Sequence, residues 1–150
     1  MSWQCKAFDA LTPAELYAAM ELRQRVFIVE QNCAYLDADG ADRDARHLLG
    51  WQDADESRKL IAYARLLAPR AKFAEASIGR VVTHPEERRT GVGRELMTEA
   101  IRNIEKEGWK GGIRIAAQIY LEEFYAGFGF HRVSEPYTED DIMHVDMLRA

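Results

Sequence analysis

Polar and apolar residues alternate from Trp3 to Phe8, which predicts a first β-strand. Thr12-Pro13-Ala14-Glu15 then carries the chemistry of a helix start, with Thr12 as N-cap, Pro13 in the first turn and Glu15 closing a capping box. In the run LYAAMELRQRVFIVE, Leu16, Ala19, Met20 and Phe27 share one face. The pattern slips near Arg23, so two helices meeting at an angle are expected there. Periodicity is lost after Gln31. The stretch NCAYLDADGADRDAR, with Asp37, Asp39, Asp42 and Asp44 around Gly40, reads as an acidic loop. Its spacing fails as a calcium loop, because position twelve of DADGADRDARHL is leucine.

Strand patterns return at His47 to Gln52, Leu60 to Leu67 and Ser77 to Thr83. DADES between the first two reads as a hairpin loop, and Pro69 breaks the second from the third, so an antiparallel meander is predicted. From Gly91 to Glu107 the period is helical, with Val92, Leu96, Ala100, Ile101 and Ile104 on one face and Gly108 as the stop. GIRIAAQ (112–118) reads as a buried strand, and strand, helix, strand order implies a parallel pair. A short helix over 120–128 and strands at Phe130 to Ser134 and His144 to Leu148 close the chain. The fold class is α/β in the mixed, α+β sense, with one sheet and three or four helices in a single domain over 1–150.

Composition narrows the function classes. A net charge of −5 argues against a general nucleic-acid binder. Cys5 and Cys33 are too few for a disulfide framework, and the scattered histidines give no metal-ligand spacing. No run is long enough to cross a membrane, and MSWQCKAFDA lacks signal-peptide character. A cytoplasmic, reduced protein without a metal is the expectation. Trp3, Trp51 and Trp109 are expected to anchor packing.

The chemistry concentrates in VVTHPEERRTGVGR (81–94). A P-loop is excluded because Arg94-Glu95 follows Gly93, and the dinucleotide fingerprint fails because Leu96 stands where its third glycine belongs. What remains is Arg88-x-x-Gly91-x-Gly93 between a strand and a helix. The unpaired N–H groups of a helix start can hold a pyrophosphate, and glycine removes the Cβ atoms that would keep it away. Arg88, Arg89 and Arg94 add cationic side chains. On these residues alone, a tight strand-to-helix turn fits as well.

IGRVVTHPEERRTGVGRELM (78–97) closely resembles the signature of the GNAT superfamily of N-acetyltransferases, and YLEEFYAGFGF (120–130) is similar to the family's fourth helix and its Tyr-x-x-x-Gly-Phe ending. LRQRVFIVEQNCAYLDADGADRDARHL further resembles the ElaA branch. The resemblance implies the acyl-CoA N-acyltransferase fold, in which a central parallel strand pair splays around acetyl-CoA as co-substrate. It assigns cofactor binding to Val81, Val82, Thr83, Arg88, Arg89, Thr90, Gly91, Val92, Gly93 and Arg94. A backbone N–H, that of Val82, is expected to stabilise the oxyanion during transfer to a primary amine through a tetrahedral intermediate. Tyr125 matches the general acid, a phenol of pKa near ~10 that can protonate the leaving thiolate. On spacing alone Leu121, Phe124, Tyr125 and Phe128 form a core stripe.

An alkyl ammonium acceptor must lose a proton before attack, and Glu30 and His84 are the candidate bases. Gln118, Asp37 and Asp39 are candidates for holding a small-molecule or peptide amine. The resemblance also leaves room for a homodimer, for another acyl group as in acyl-homoserine-lactone-type synthases, and for a non-catalytic CoA sensor.

Overall fold

The computed structural model describes residues 1–54 and 56–150. Strands β1 (Ser2–Ala7), β2 (Arg46–Ala54), β3 (Ser57–Leu67) and β4 (Ala76–Thr83) run as the expected antiparallel meander. The turn expected at DADES includes Asp55, outside the described residues; its flanks meet as the pair Ala54↔Ser57.

Helix α1 (Pro13–Arg23) begins with the predicted capping box: Glu15 N–H donates to Thr12 Oγ1 at 3.1 Å, and Thr12 N–H to Glu15 Oε1 at 2.8 Å. Its inward face is not the one expected. Glu15, Ala19, Leu22 and Arg23 are buried, whereas Leu16, Met20 and Phe27 are only half-buried. The slip at Arg23 is a change of pitch within one helical run rather than a second helix. Gln24–Glu30 is π-helical, with Gln31 N–H bonded to Val26 O and Cys33 N–H to Ile28 O, each five residues back.

Helix α2 (Val92–Glu107) follows β4 and returns the chain to β5 (Ile113–Gln118), which pairs parallel with β4. Its predicted face, joined by Met97, is buried against β3, β4 and β5. Each large side chain there contributes roughly 1.5–3 kcal/mol, and Leu96→Ala alone would cost about 2–5 kcal/mol. A 3-10 turn (Ile119–Leu121) leads into α3 (Glu122–Ala126), so the expected helix is shorter and split.

The strand expected at 130–134 shrinks to β6 (His131–Arg132), and β7 (Tyr137–Glu139) pairs with β8 (Ile142–Arg149). Asp140 and Asp141 both have positive φ, 50° and 61°, which fits the two-residue hairpin joining β7 to β8. Sheet order is β1-β2-β3-β4-β5-β8-β6. One core lies under α2 and α3; a second joins α1 to Leu49, Trp51, Leu60, Tyr63 and Val82 on the other face. Trp51 is buried beneath the Arg58 guanidinium, and Trp3 and Trp109 pack half-buried against the first core. No helix among the described residues is long and apolar enough to cross a membrane.

Candidate active site

Strands β4 and β5 pair only at Ala76↔Ile113 and Ser77↔Arg114 and then part. A bulge in β4 contributes: Tyr63 faces Val82 and Arg65 faces Gly79, so three steps of β4 oppose two of β3, with Arg80 in the left-handed region at φ 50°. The gap between the strands opens into a cleft of about 1280 Å³ that reaches the start of α2, α3 and the β7–β8 turn.

Register decides which amides face this cleft. His84 N–H donates to Ile61 O at 2.7 Å, and Val82 stands opposite Tyr63 two residues earlier on the same ladder. In an antiparallel pair such alternate residues direct both backbone groups to the same neighbour. Val82 therefore turns its N–H to β3 and its side chain into the second core, so the oxyanion role expected of it does not fit. The amides of Val81 and Thr83 point the other way, along the β4 edge that β5 has left.

Below that edge, Arg89 and Gly91 take positive φ, 65° and 89°, and Thr90 Oγ1 donates to Glu87 O at 2.5 Å, folding the loop. The first bond inside α2 is Glu95 N–H to Gly91 O at 3.2 Å, leaving the Val92, Gly93 and Arg94 amides for a ligand. Gly91 is fixed by its left-handed backbone. Gly93 is not, since a Cβ there would lie 3.8 Å from Phe124 and strain nothing in the protein. A glycine the protein itself does not need is what a closely approaching phosphate requires, so the loop has room for a phosphate group. Arg89 and Arg94 are exposed on the cleft, and no ion pair engages them among the described residues. Arg88 is bonded to Glu30. Val92 sends its side chain into the core.

Tyr125 reaches the cleft from α3, its ring held edge-on by Phe124 and Phe130. Burial, with a smaller contribution from Tyr120, pushes its phenol up to about 12, so the hydroxyl keeps its proton. The packing reading of the aromatic stripe holds for Tyr125, which belongs to the first core and also lines the cleft. Gln118 lines the cleft at the end of β5.

The acceptor-side candidates separate. Glu30 lines the cleft but is tied to Arg88. His84 lines a different, smaller pocket beside Leu22, Trp51 and Lys59. Its Nδ1 accepts from Glu86 N–H, and burial lowers its pKa. Two of the four aspartates of the acidic loop, Asp37 and Asp42, are buried rather than solvated. Asp37 takes Arg23 Nε at 2.8 Å and Arg80 Nε at 2.7 Å, and Asp42 takes Arg23 and Arg65. Asp39 faces the cleft, with its oxygens bonded to Arg65. Burial opposes its ionisation, but Arg65 and the Ala41 amide hold its carboxyl low. Asp44 is exposed.

Sequence reasoning missed His144 and Arg65, both buried and both lining the cleft. Alternation on a strand already marked as core gave the only signal, and it points as readily to packing.

Known proteins share this architecture. A family model described as an acetyltransferase (GNAT) domain matches residues 44–149. Protein ElaA of Escherichia coli is 40% identical over 151 residues, covering 99% of this chain and 96% of that protein. The crystal structure of E. coli ElaA superposes with a TM-score of 0.90 over 99% of both chains. An acyl-CoA N-acyltransferase from Pseudomonas aeruginosa superposes with a TM-score of 0.91 over all of both chains, at 41% identity. With its splayed strands, glycine-marked helix start and cleft-facing tyrosine, the chain belongs to the GNAT acetyltransferase family, as a relative of ElaA, and is an acyltransferase.

Proposed function

We infer that the chain, as one domain over 1–150, moves the acetyl group of acetyl-CoA onto a primary amine by direct attack. The observation that carries this reading is the adjacency of the free β4 edge at Val81 and Thr83 to the α2 start at Gly91–Arg94. That adjacency suits a ligand with an amide-bearing arm and a diphosphate. The thioester supplies the electrophilic carbonyl. Val81 N–H, in place of Val82, stabilises the charge developing on its oxygen; Thr83 pairs with the arm; Tyr125 gives its proton to the departing sulfur. The free thiols of Cys5 and Cys33 suit the reducing cytoplasm.

Two measurements test the reading. CoA at ~100 times its Kd is expected to raise stability by roughly 2.7 kcal/mol in a thermal shift. Thiol release from acetyl-CoA is expected with at least one member of a panel of alkyl amines, polyamines and peptide N-termini. Stabilisation without turnover on any of them would make the chain a CoA sensor. No stabilisation would remove the cofactor assignment.

A further inference from the structure

Transfer to an amine needs a group that accepts a proton, and Glu30 and His84 are both poorly placed for it. His144 is different. It lies on β8 directly opposite Gln118, at the end of β5 where the cleft has opened, and its side chain lines that cleft. Its Nδ1 is 2.7 Å from the carbonyl oxygen of Ile142. A carbonyl only accepts, so Nδ1 carries the hydrogen, and in the neutral ring the lone pair is on Nε2. No protein group bonds Nε2 among the described residues, and His144, buried to 9% exposure, lines the cleft.

The ring is also held in place. Tyr137 stacks on it with centroids 5.9 Å apart and planes at 19°. The Tyr137 hydroxyl donates to Asp146 Oδ1 at 2.6 Å, and Arg114 Nη2 donates to Asp146 Oδ2 at 2.9 Å. A histidine with its tautomer fixed on one side, its plane fixed by stacking and its other nitrogen unpartnered at the cleft is built to accept a proton there.

The geometry points to His144 as the general base of the transfer, a role that rests on the acetyl-transfer reading above. An ammonium acceptor sheds two protons on becoming a secondary amide. The first passes to Nε2 before attack and then to solvent, because Nδ1–H ends on a backbone carbonyl and relays nothing further. The second leaves the nitrogen as the C–N bond forms and the C–S bond breaks. It restores the Tyr125 hydroxyl, whose own proton has gone to the sulfur. The sum is one ammonium and one thioester giving one amide, one thiol and one proton.

The test uses the full chain with the amine that the wild type turns over best. His144→Asn keeps a donor for Ile142 O and removes Nε2; His144→Ala removes both and opens space for added imidazole. Both are expected to lower kcat by about 10²-fold or more, with the CoA thermal shift intact. Imidazole is expected to restore His144→Ala in proportion to its concentration. Unimpaired kcat in either variant overturns the assignment alone, as does a loss in folded, CoA-binding His144→Ala that imidazole does not restore. If the variants do not fold, the ¹⁵N shifts of the wild-type ring decide: Nδ1–H with unprotonated Nε2 supports the assignment, and the opposite tautomer overturns it. Absence of wild-type turnover across the whole panel overturns the acetyl-transfer reading, and the base with it.

Discussion

Gly93 and Phe124 face each other across the mouth of the cleft, and a Cβ at position 93 would stand 3.8 Å from the phenylalanine ring. That is an ordinary van der Waals distance. The protein without ligand therefore tolerates alanine there, and helix propensity favours it by roughly 0.8–1.0 kcal/mol. A diphosphate on the first-turn amides does not tolerate it. Gly93→Ala is expected to hold or raise the melting temperature while raising the KM for acetyl-CoA about tenfold, a loss of roughly 1.4 kcal/mol. Equal affinity for CoA in variant and wild type, measured by calorimetry, would assign Gly93 to the turn rather than the ligand.

Tyr125 separates packing from proton donation in a single residue. Its ring is set between Phe124 and Phe130, and no protein acceptor engages its hydroxyl among the described residues. Tyr125→Phe keeps the ring contacts and strands no partner, so the melting temperature is expected to stay where it is. Removing the proton donor is expected to lower kcat by about 10²-fold at saturating acetyl-CoA. With the phenol at about 12, loss of the acid form should not limit the wild-type rate between pH 7 and 9. Full turnover by the phenylalanine variant would sink the acid role.

The parts of this molecule that follow local rules were legible in its sequence. The capping box at Thr12, the apolar stripe of α2 and the pairing of β2 with β3 are each set by residues close together in the chain. So was the glycine-marked turn from β4 into α2, since glycine at a helix start is a local signal. Three features were not. Arg23 sits where periodicity demands an apolar residue, because its charge is met by Asp37 and Asp42 from a loop far along the chain. The Val82 amide could be assigned only from its register against Tyr63. His144 has a candidate role only because β8 inserts beside β5, a pairing that no local pattern announces.

Arg23 is completely buried, and all three of its guanidinium nitrogens are engaged: Nε with Asp37, Nη1 with Asp42, Nη2 with the Asp37 carbonyl at 3.1 Å. This cluster ties α1 to the acidic loop and, through Arg65 and Arg80, to the strands that line the cleft. Arg23→Met would leave two buried carboxylates short of a counter-charge, with an expected cost of about 3–5 kcal/mol in urea unfolding. Arg23→Lys should recover little of it, because a point charge cannot serve two carboxylates and a carbonyl in fixed directions. A loss below about 1 kcal/mol for the methionine variant would mean the cluster contributes no net stability.

Acid should unfold the protein in two ranges with different owners. His47 is buried, with Nε2 2.8 Å from the Asp42 carbonyl and Nδ1 2.7 Å from the Tyr63 hydroxyl. Nε2 must then donate to the carbonyl, and in the neutral ring Nδ1 accepts from the Tyr63 hydroxyl. Burial depresses its pKa, so the unfolded chain takes up a proton that the folded one refuses, and stability declines as pH falls below the ordinary value of 6.5. Glu15 acts lower. Burial alone would raise its pKa, but the Thr12 amide, Lys6 and Arg58 together bring it from 4.5 down to about 2. Its contribution is complete above 4.5 and disappears as pH falls through that interval to about 2. Urea midpoints measured from pH 8 to pH 2.5 should therefore decline first below pH 6.5 and more steeply below 4.5. Glu15→Gln should start lower at neutral pH and lose less across the second range. Parallel curves for variant and wild type below pH 4.5 would show that the capping carboxylate is not what acid titrates there.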